Sequence, residues 1–486
     1  MRIFLSKSQF LRGLQCKKAL WLLKNKPGEA APPDAQRLEI FRTGEEVGRL
    51  ARGLFPGGVE VRYRKNLDHM VSETERFILG GEAVIYEASF RFDDVLVMVD
   101  ILRKGERGWG IYEVKSSTSV KDVHVDDLAI QSYVLRGTGL ALSGAYLVTI
   151  NNRYVRRGDI DVLGLFNVND LTFDAGTKVR GVAKKLSEMR EALEGPCPGV
   201  DIGPWCTDPY ECDFIPLCWA HIPQKSVFDL RGRGVDKFAF YSEGKISFKD
   251  LVNDELNQAQ RMQVEAELGG VVTMDRGAIK GFLKKIRYPL YFLDFETFSD
   301  AVPPFDGTSP YEQIPFQYSV HSIESEGAPL RHDEFLAREG VDERRELARA
   351  LTAAIPPDAC VIAYNMSFER RVLKKLAEDF PLYREGLIAI SENLLDLMVP
   401  FKKRYYYTRE MEGSFSLKKV LPALLDGLDY SGLEIKDGAE ASIAYKRLVE
   451  MEERKKAAVK KDLLEYCRMD TLALVRLLEK LKGLVR

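Results

Sequence analysis

Apolar and polar residues follow two different periods along this chain, and together they predict a mixed α/β protein. Residues 7–23 repeat apolar positions with helical spacing, as an amphipathic helix does. Residues 84–90 alternate instead, and residues 95–102 and 109–115 are rich in β-forming side chains. Because short turn segments separate these three runs, we expect an antiparallel sheet in this region.

The second half of the chain alternates apolar strands with amphipathic helices, the order typical of an α/β layer. Residues 291–298 have the length and aromatic content of a buried strand, and a second strand is expected to end near His321. Further strands are expected at residues 331–336 and 360–365, and helices at 342–354, from Ser367 onward, and at 461–478. We therefore expect a second domain built around a sheet.

The chain length indicates more than one domain, because 486 residues exceed what one ordinary hydrophobic core supports. We place an N-terminal domain at residues 1–225, a helical connector at 226–287 and a C-terminal domain at 288–486. The net charge of −2 gives no overall attraction for nucleic acid, so any such binding must come from local patches.

Nothing in the sequence indicates export or insertion into a membrane. The first residues lack the apolar core of a signal peptide, and no apolar run approaches the length of a membrane span. We therefore expect a cytoplasmic protein without membrane contacts. In that compartment its seven cysteines are reduced and available as metal ligands.

Two carboxylates interrupt the apolar strand at residues 291–298. Asp294 and Glu296 are two residues apart, so on a strand their side chains share one face. Both acids are costly in apolar surroundings unless a cation neutralises them, and Mg²⁺ or Mn²⁺ takes carboxylate oxygens readily. The alternative is an exposed edge strand with two solvated acids, which the flanking hydrophobic residues disfavour. We expect a divalent metal site here.

The predicted turn at residues 104–108 brings a second pair of acids together. If the hairpin folds about its middle, Asp100 and Glu113 lie opposite one another, with Lys115 on the same face as Glu113. Two acids and a lysine can hold Mg²⁺ and position a hydrolytic water. The alternative is a surface hairpin with a fortuitous ion pair, because such short patterns are common.

Three cysteines recur at intervals of six residues: Cys206, Cys212 and Cys218. Their segment is rich in proline and aromatic residues and lacks regular periodicity, so we expect it to need a cross-link. Three thiolates require a fourth ligand for a tetrahedral or cubane site. Cys16 is the natural candidate and Cys197 the spare. Cys360 and Cys467 fall in apolar patterns typical of buried free thiols.

The N-terminal pattern resembles the RecB-like branch of the PD-(D/E)XK nucleases. The residues that carry the resemblance, which spans 1–222, are Asp100, Glu113, Lys115, Gln131 and Tyr133. It implies a restriction-endonuclease-like fold in which the two acids bind metal and the lysine assists hydrolysis. It also implies that Gln131 and Tyr133, on the next helix, line the site.

This chain departs from that family at one position. Many relatives have a histidine in an early helix, where this chain offers Glu45 and Glu46, either of which could substitute. Glu87, on the preceding strand, is a possible extra ligand or an exposed acid.

The split arrangement of one early cysteine and a late trio is similar to that of the iron–sulfur RecB-like nucleases of AddB type and of the CRISPR-associated kind. The similarity implies a [4Fe–4S] cluster on Cys16, Cys206, Cys212 and Cys218 that ties the first helix to the end of the domain. The spacing departs from the tighter pairs in some of those relatives, so zinc stays open as the second choice.

Three C-terminal motifs resemble, in their order, the DnaQ-like exonucleases of the ribonuclease H fold, in the subgroup with tyrosine in place of histidine. They are Asp294-x-Glu296, Asn365-x3-Glu369 and Tyr466-x3-Asp470. The resemblance implies a 3′–5′ exonuclease in which the four acids hold two metal ions, with Tyr466 beside the attacking water. Glu369 stands where the family usually has aspartate, which extends the reach of the carboxylate.

Several neighbours of these motifs are further candidates. Asp396 is either a rival acid or a local cap, and Asn365 is expected beside the site. The segment that contains Lys418 resembles the helix-opening Ser-Leu-Lys of these exonucleases, which implies that Lys418 lies near the substrate. The pairing of both parts on one chain resembles a prokaryotic family that fuses a RecB-like domain to a DnaQ-like domain.

One segment interleaves cations with aromatic residues in a way that suits a single strand of nucleic acid. Lys402, Lys403 and Arg404 precede three consecutive tyrosines, so phosphate contact and base stacking could combine there. A half-exposed amphipathic segment is the alternative. On the first interpretation, this segment guides a single-stranded end to the C-terminal site.

Together these patterns predict a metal-dependent nuclease that acts on DNA or RNA, with an exonuclease site in the C-terminal domain and a DNA nuclease site in the N-terminal domain. The alternative is a nucleic-acid-binding or assembly protein in which one or both sites are inactive.

Overall fold

The computed structural model describes residues 3–425 and 432–486. The chain divides by its internal contacts into two compact units, the first formed by Met1–His221 with Asp300–Glu312 and the second by Ile222–Ser299 with Gln313–Arg486. Residues 226–287, predicted as a separate connector, therefore belong to the same unit as the C-terminal elements. None of the helices in the described ranges combines the length and the apolar character that crossing a membrane requires.

The first unit contains a seven-stranded sheet among its described residues. The strands are β1 (Leu5–Ser6), β2 (Val59–Glu60), β3 (Val84–Phe92), β4 (Val95–Gly105), β5 (Gly108–Lys115), β6 (Leu142–Ile150) and β7 (Phe166–Asp170). They pair in the order β2-β3-β4-β5-β6-β7, with β1 beside β4. Strands β3, β4 and β5 are antiparallel as the sequence predicts, while β6 runs parallel to β5.

Eight helices accompany this sheet in the described part of the unit. They are α1 (Lys7–Gln15), α2 (Lys17–Asn25), α3 (Ala35–Ala51), α4 (Leu67–Leu79), α5 (Asp122–Gly137), α6 (Val162–Leu165), α7 (Thr172–Glu194) and α8 (Ile215–Cys218). Helix α5 packs against α7 and against strands β3, β4 and β6. Its buried face, which includes Leu128 and Ile130, joins the main core of the unit.

The single helix predicted for residues 7–23 is wrong, because the structure has two helices with Cys16 between them. The backbone of Cys16 is extended, with φ −159° and ψ 116°, which ends α1 and redirects the chain. Its Sγ then accepts the backbone N–H of Ala19 at 3.4 Å, as an N-cap of α2. The amphipathic period continues through the break, so periodicity alone does not reveal it.

The segment Asp300–Glu312 belongs to the first unit although strands of the second unit flank it. Its anchor is Arg156, whose guanidinium donates to the carbonyl oxygens of Pro303 and Pro304 at 3.1 and 2.7 Å. The Tyr311 hydroxyl donates to the carbonyl of Ser116.

The second unit is a mixed α/β layer. Its described helices are α9 (Lys237–Ser242), α10 (Gln258–Gly269), α11 (Arg276–Leu283), α12 (Arg344–Ala354), α13 (Ser367–Asp379), α14 (Arg384–Glu392), α15 (Val399–Lys402), α16 (Leu417–Leu424), α17 (Gly438–Arg447) and α18 (Glu453–Val485). Its strands are β8 (Thr273–Met274), β9 (Leu290–Phe298), β10 (Ile314–Ile323), β11 (Arg331–Leu336), β12 (Cys360–Ala363), β13 (Leu394–Asp396) and β14 (Tyr406–Tyr407).

Five of these strands form one sheet in the order β11-β10-β9-β12-β13. Strand β10 is antiparallel to both of its neighbours, whereas β9, β12 and β13 are parallel. The central strand β9 is covered on both faces. Tyr291, Leu293 and Phe295 face a core with α12, α13 and α14, while Leu290 and Phe292 face a core that includes α18. This explains the nearly continuous apolar run in the sequence.

Candidate active sites

Asp294 and Glu296 lie on β9, on the face that α18 covers. Because side chains two residues apart share a face of a strand, both acids lie on the same face as Leu290 and Phe292. Those two residues pack in the core that includes α18. Glu296 is 6 % exposed and Asp294 is partly buried. The two acids are therefore not on an exposed edge strand, which disfavours the solvated alternative.

Glu369 reaches the same region from α13, the helix that follows the neighbouring strand β12. Strand β12 is parallel to β9, with Ile362 opposite Phe292, so the carboxyl ends of both strands lie at one edge of the sheet. Asn365 then adopts a left-handed backbone with φ 66°, which asparagine tolerates, and turns the chain into α13. Glu369 lies in the first turn of that helix and is 2 % exposed. Its Oε2 is buried and has no hydrogen-bond partner among the residues that the structure describes.

Tyr466 and Asp470 come from α18, which packs on β9 and β10. Polar side chains of β10 fix the position of this helix. The Gln317 amide donates to the carbonyl oxygen of Leu463 at 2.8 Å, and the Thr471 hydroxyl is 2.7 Å from Ser319 Oγ and 2.8 Å from His321 Nδ1.

These bonds position α18 against the acids of β9, because Gln317 pairs with Glu296 and Ser319 with Asp294 across the strands. Asp470 is 9 % exposed and Tyr466 is 4 % exposed. The helix therefore brings Asp470 close enough for its charge to raise the pKa values of Asp294 and Glu296, and Tyr466 is buried one turn before it.

The four carboxylates act on one another electrostatically. Burial, followed by the charges of Asp470, Glu296 and Glu369, raises the pKa of Asp294 well above its usual value. Burial and the charge of Asp470 likewise raise the pKa of Glu296. Burial raises the pKa of Glu369 to about 8, with a further contribution from Asp396. Burial and mutual repulsion thus outweigh the positive charge that the described residues supply, so the cluster has the electrostatics of a cation site.

Cys467 is a member of this cluster that the sequence analysis missed. Its Sγ lies 3.6 Å from Asp294 Oδ2, and Asp294, Glu296 and Cys467 each offer a ligand atom within 4.8 Å of the others. The apolar helix pattern concealed it. The usable signal was its spacing, since Cys467 precedes Asp470 by three residues and thus shares its helix face.

Asp396 has the local role that the sequence left open. Its Oδ1 accepts the backbone N–H groups of Asn365 and Met398, both at 3.0 Å. It thus stabilises the turn before α13. The side chain of Asn365 accepts a hydrogen bond from the Ser367 hydroxyl at 2.8 Å, so this residue also shapes the turn.

An open groove lies beside Glu296. Phe295, Gln313, Phe368, Gly438 and Ser442 are among its lining residues. Lys418, at the start of α16, is exposed, and its charge lowers the pKa of Glu296 against the effect of burial. The ammonium group of Lys418 is therefore close enough to act on the carboxylate cluster.

Two of the three tyrosines in the basic and aromatic segment do not present the surface that base stacking needs. Lys402 and Lys403 are exposed, but Tyr406 and Tyr407 are buried in the core of the second unit. Arg404 turns inward as well, because its guanidinium lies 4.2 Å from the centre of the Tyr407 ring and donates to the carbonyl of Gly413 at 2.7 Å. Of the three cations that precede the tyrosines, Lys402 and Lys403 remain exposed. The expectation of stacking on Tyr406 and Tyr407 is wrong.

In the first unit, lysines neutralise a second group of carboxylates. The Lys115 ammonium donates to Glu113 Oε1 at 2.6 Å and to Asp127 Oδ2 at 2.9 Å. Lys7 donates to the same Glu113 oxygen at 2.7 Å and lies 3.3 Å from Asp127 Oδ1. The Gln131 amide donates to Glu113 at 2.7 Å and to Asp127 at 2.8 Å. The predicted Glu113, Lys115 and Gln131 therefore form one network.

Asp100 adjoins this network in the predicted register. Ile101 pairs with Tyr112, so Asp100 and Glu113 follow as the next opposed pair. The Asp100 Oδ2 accepts the backbone N–H of Val114 at 2.6 Å. The hairpin geometry derived from the turn at residues 104–108 is thus confirmed.

Sequence reasoning missed Lys7 and Asp127. Asp127 precedes Gln131 by four residues on α5, so helical spacing could have indicated it. No sequence spacing indicated Lys7, because its proximity to Glu113 and Asp127 depends on how α1 packs. Burial and the charges of Asp100 and Asp127 raise the pKa of Glu113 to about 7. Asp127 is also buried, yet Lys7 and Lys115 hold its pKa below the usual value.

Tyr133 has a different environment from the one predicted. Its hydroxyl donates to Asp93 Oδ2 at 3.0 Å, and its ring packs 5.6 Å from Phe92, centre to centre. Gln131 and Tyr133 are two apart on a helix, so they cannot face the same neighbour. Glu45 and Glu46 are exposed on α3. The Arg52 guanidinium donates to Glu87 Oε1 at 3.3 Å, and the charges of Lys7 and Glu113 also act on the pKa of Glu87.

The predicted cysteine quartet lines one pocket. Cys16, Cys206, Cys212 and Cys218 line a small pocket together with apolar side chains that include Ile202. All four are free thiols. Burial raises the pKa of Cys16, Cys212 and Cys218. The spare candidate, Cys197, is exposed.

Polar contacts hold the cysteine segment against the first helix. Asp213 accepts hydrogen bonds from Arg12 at 2.6 Å and from Arg37. The Gln15 amide donates to the carbonyl oxygens of Trp205 and Tyr210 at 2.7 and 2.6 Å. The segment without regular periodicity is therefore ordered through contacts to α1 and α3.

Comparison with known families identifies similarity over part of the chain. The family described as "Domain of unknown function (DUF2779)" matches residues 291–416, which include Asp294, Glu296 and Glu369. The chain is 27% identical over 216 residues to the uncharacterized protein MG366 homolog of Mycoplasma pneumoniae, covering 40% of this chain and 32% of the relative.

Two further relatives have comparable similarity. The uncharacterized protein MG366 of Mycoplasma genitalium is 24% identical over 226 residues, or 43% of this chain and 34% of its own length. The uncharacterized protein UU173 of Ureaplasma parvum is 27% identical over 161 residues, or 31% of this chain and 23% of its own length. The chain thus spans about a third or less of these curated relatives.

The raised pKa of Glu369 predicts a pH dependence of stability in metal-free buffer. Between its ordinary value of 4.5 and about 8, the folded protein retains a proton that the unfolded chain releases. The free energy of unfolding should therefore fall as pH rises through this window. Glu369→Gln removes this titration and should lessen the fall, which urea unfolding in EDTA measures, since one pKa unit corresponds to about 1.4 kcal/mol.

The matched control is Glu378→Gln, which changes an exposed acid on the same helix. It should keep the wild-type dependence on pH. An identical dependence in Glu369→Gln and wild type would contradict the raised pKa.

Proposed function

We propose that the second unit is a metal-dependent 3′–5′ exonuclease that hydrolyses phosphodiester bonds of DNA or RNA. The observation that carries the proposal is the convergence of Asp294, Glu296, Glu369 and Asp470 in a buried environment with raised carboxylate pKa values. Their order along the chain is also the order in the DnaQ-like exonucleases, which the sequence resembles. The polarity of cleavage rests on that resemblance.

The donor set fits hard divalent cations. Carboxylate oxygens are the ligands that Mg²⁺ and Mn²⁺ take, and the buried Oε2 of Glu369 has no hydrogen-bond partner in the described structure. Asp294, Glu296, Glu369 and Asp470 would hold the ions. When bound, two such ions activate water and stabilise the leaving oxygen of a phosphodiester.

The residues around the acids have separate roles in this proposal. Tyr466 precedes Asp470 by one turn of α18 and orients the attacking water through its hydroxyl. Lys418 supplies positive charge on the solvent side of Glu296, where a phosphate of the substrate would approach. Lys402 and Lys403, both exposed, extend that positive charge for a single-stranded end.

For the first unit, we propose a second nuclease site of the RecB-like type that cuts DNA. Asp100 and Glu113 would hold Mg²⁺, and Lys115 would assist the hydrolytic water. Lys7 and Lys115 already neutralise Glu113 and Asp127, so a cation must compete with two ammonium groups there. This competition favours the second unit as the stronger metal site.

We also propose that the cysteine quartet holds a [4Fe–4S] cluster with a structural role. The proposal is supported by the four thiols that line one pocket and by the resemblance to the iron–sulfur RecB-like nucleases. Zinc is the alternative, because four thiolates also suit a tetrahedral site.

The exonuclease proposal is tested with end-labelled single-stranded DNA and RNA in Mg²⁺ or Mn²⁺. Asp294→Asn should lower the rate of shortening from the 3′ end by at least about 100-fold, because even outer partners of metal ligands contribute about 10–100-fold. Lys115→Met should leave the 3′ ladder unchanged and lower only internal or duplex cleavage. The preferred polymer identifies the substrate.

Asp358→Asn serves as the control, because it makes the same chemical change at an exposed position of the second unit. It should retain wild-type activity. Loss of the ladder in Lys115→Met alone would move the chemistry to the first unit. Absence of cleavage on every substrate would favour the nucleic-acid-binding alternative.

The cluster proposal predicts a brown protein after anaerobic purification, with about four irons per chain. Cys212→Ser should bleach the colour and make the 200–218 segment more sensitive to limited proteolysis. Cys197→Ser, at the exposed cysteine, should keep both the colour and the iron. A colourless wild-type protein that contains zinc would contradict the iron–sulfur assignment.

A further inference from the structure

Cys467 brings sulfur to a cluster that otherwise offers oxygen. Its thiol donates weakly to Asp294 Oδ2, with Sγ 3.6 Å away, and it is completely buried. The nearest ligand atoms of Asp294, Glu296 and Cys467 all lie within 4.8 Å of one another. These three residues form a compact set of donors, and a single cation could contact all of them.

The position of Cys467 follows from how α18 is held on the sheet. Leu463 and Thr471 lie one helical turn before and one turn after Cys467, and both are bonded to side chains of β10. Because Ser319, which contacts Thr471, pairs with Asp294 across the strands, the turn between these anchors faces Asp294. The sulfur is thus fixed at the acids.

A second, independent feature also indicates a ligand at this place. Glu369 is only 2 % exposed, and within residues 3–425 and 432–486 its Oε2 finds no hydrogen-bond partner. Its charge acts on Asp294, which contacts Cys467. A buried carboxylate oxygen without a partner is costly unless a cation contacts it.

Sulfur changes which cations the site prefers. Carboxylates suit Mg²⁺ and Mn²⁺, whereas a thiolate favours softer ions such as Zn²⁺ and Cd²⁺. Such an ion displaces the thiol proton to solvent as the metal–sulfur bond forms, and no oxidation takes place.

We propose that Cys467 is a metal ligand of the carboxylate cluster in the second unit, and that it gives this site affinity for thiophilic divalent cations in addition to Mg²⁺ and Mn²⁺. This inference rests on the proposed function, since it uses the same carboxylates. One consequence is that a Zn²⁺ ion, held by both oxygen and sulfur, competes with Mg²⁺ and inhibits cleavage.

The test is a titration of the full-length protein with Cd²⁺, followed by the sulfur-to-cadmium charge-transfer absorption. In wild type, this absorption should rise with one equivalent of Cd²⁺ per chain that neither Cys467→Ser nor Asp294→Asn binds in the same way. Cys467→Ser should weaken Cd²⁺ binding by at least about tenfold and change Mn²⁺ affinity by less than about threefold, because only the softer ion depends on sulfur.

Cys360→Ser is the matched control, since Cys360 is a buried thiol of the same unit that packs in the apolar core. It should keep the full signal. The cysteine quartet contributes equally to every variant, so the difference spectra isolate Cys467. Cys467→Ala provides a second substitution, which should reproduce the loss, and thermal unfolding without metal confirms that each variant is folded.

Retention of the full absorption in folded Cys467→Ser or Cys467→Ala would overturn the inference, as would an equal loss of Mn²⁺ and Cd²⁺ affinity. The same titration distinguishes a failure of the Cys467 assignment from a failure of the proposed exonuclease site. If Mn²⁺ binding depends on Asp294 but the cadmium signal does not depend on Cys467, only this inference fails. If neither ion depends on Asp294, the proposed exonuclease site fails with it.

Discussion

Repulsion between carboxylates inside an apolar layer is the constraint on which the second unit depends. Strand β9 is buried on both faces, so Asp294 and Glu296 cannot escape into solvent without exposing the core. Helix α13 adds Glu369, and α18 adds Asp470. An assembly of this kind is tolerated only where protons or cations compensate its charge. The hydrogen bonds between α18 and β10 hold it in place despite that repulsion.

The first unit meets a similar electrostatic problem with its own side chains. Lys7 and Lys115 lie between Glu113 and Asp127, and Gln131 bonds both acids. This network is nearly neutral without any added ion, while the cluster of the second unit is not. This difference in charge balance explains why the two acidic clusters of one polypeptide differ in their requirement for metal.

The sequence predicted features that depend on local spacing, and it failed where distant packing decides. The hairpin register of Asp100 and Glu113 and the shared face of Asp294 and Glu296 follow from strand period and turn position. The approach of Lys7 to Glu113 depends on contacts between residues far apart along the chain. The break at Cys16 and the inward turn of Arg404 toward Tyr407 and Gly413 are local, but the apolar period does not reveal them. Cys467 is the buried free thiol that its apolar pattern predicts, but that pattern did not reveal that its sulfur lies beside Asp294.

The segment Asp300–Glu312 limits how this protein can be divided. It connects two adjacent strands of the second unit, β9 and β10, but it is a part of the first unit, bonded through Arg156 and Ser116. A cut near residue 222 would separate this segment from those partners, and would leave the first unit without a piece of its own surface. The two units therefore do not correspond to two separable stretches of gene, and neither can be transplanted whole by a single cut.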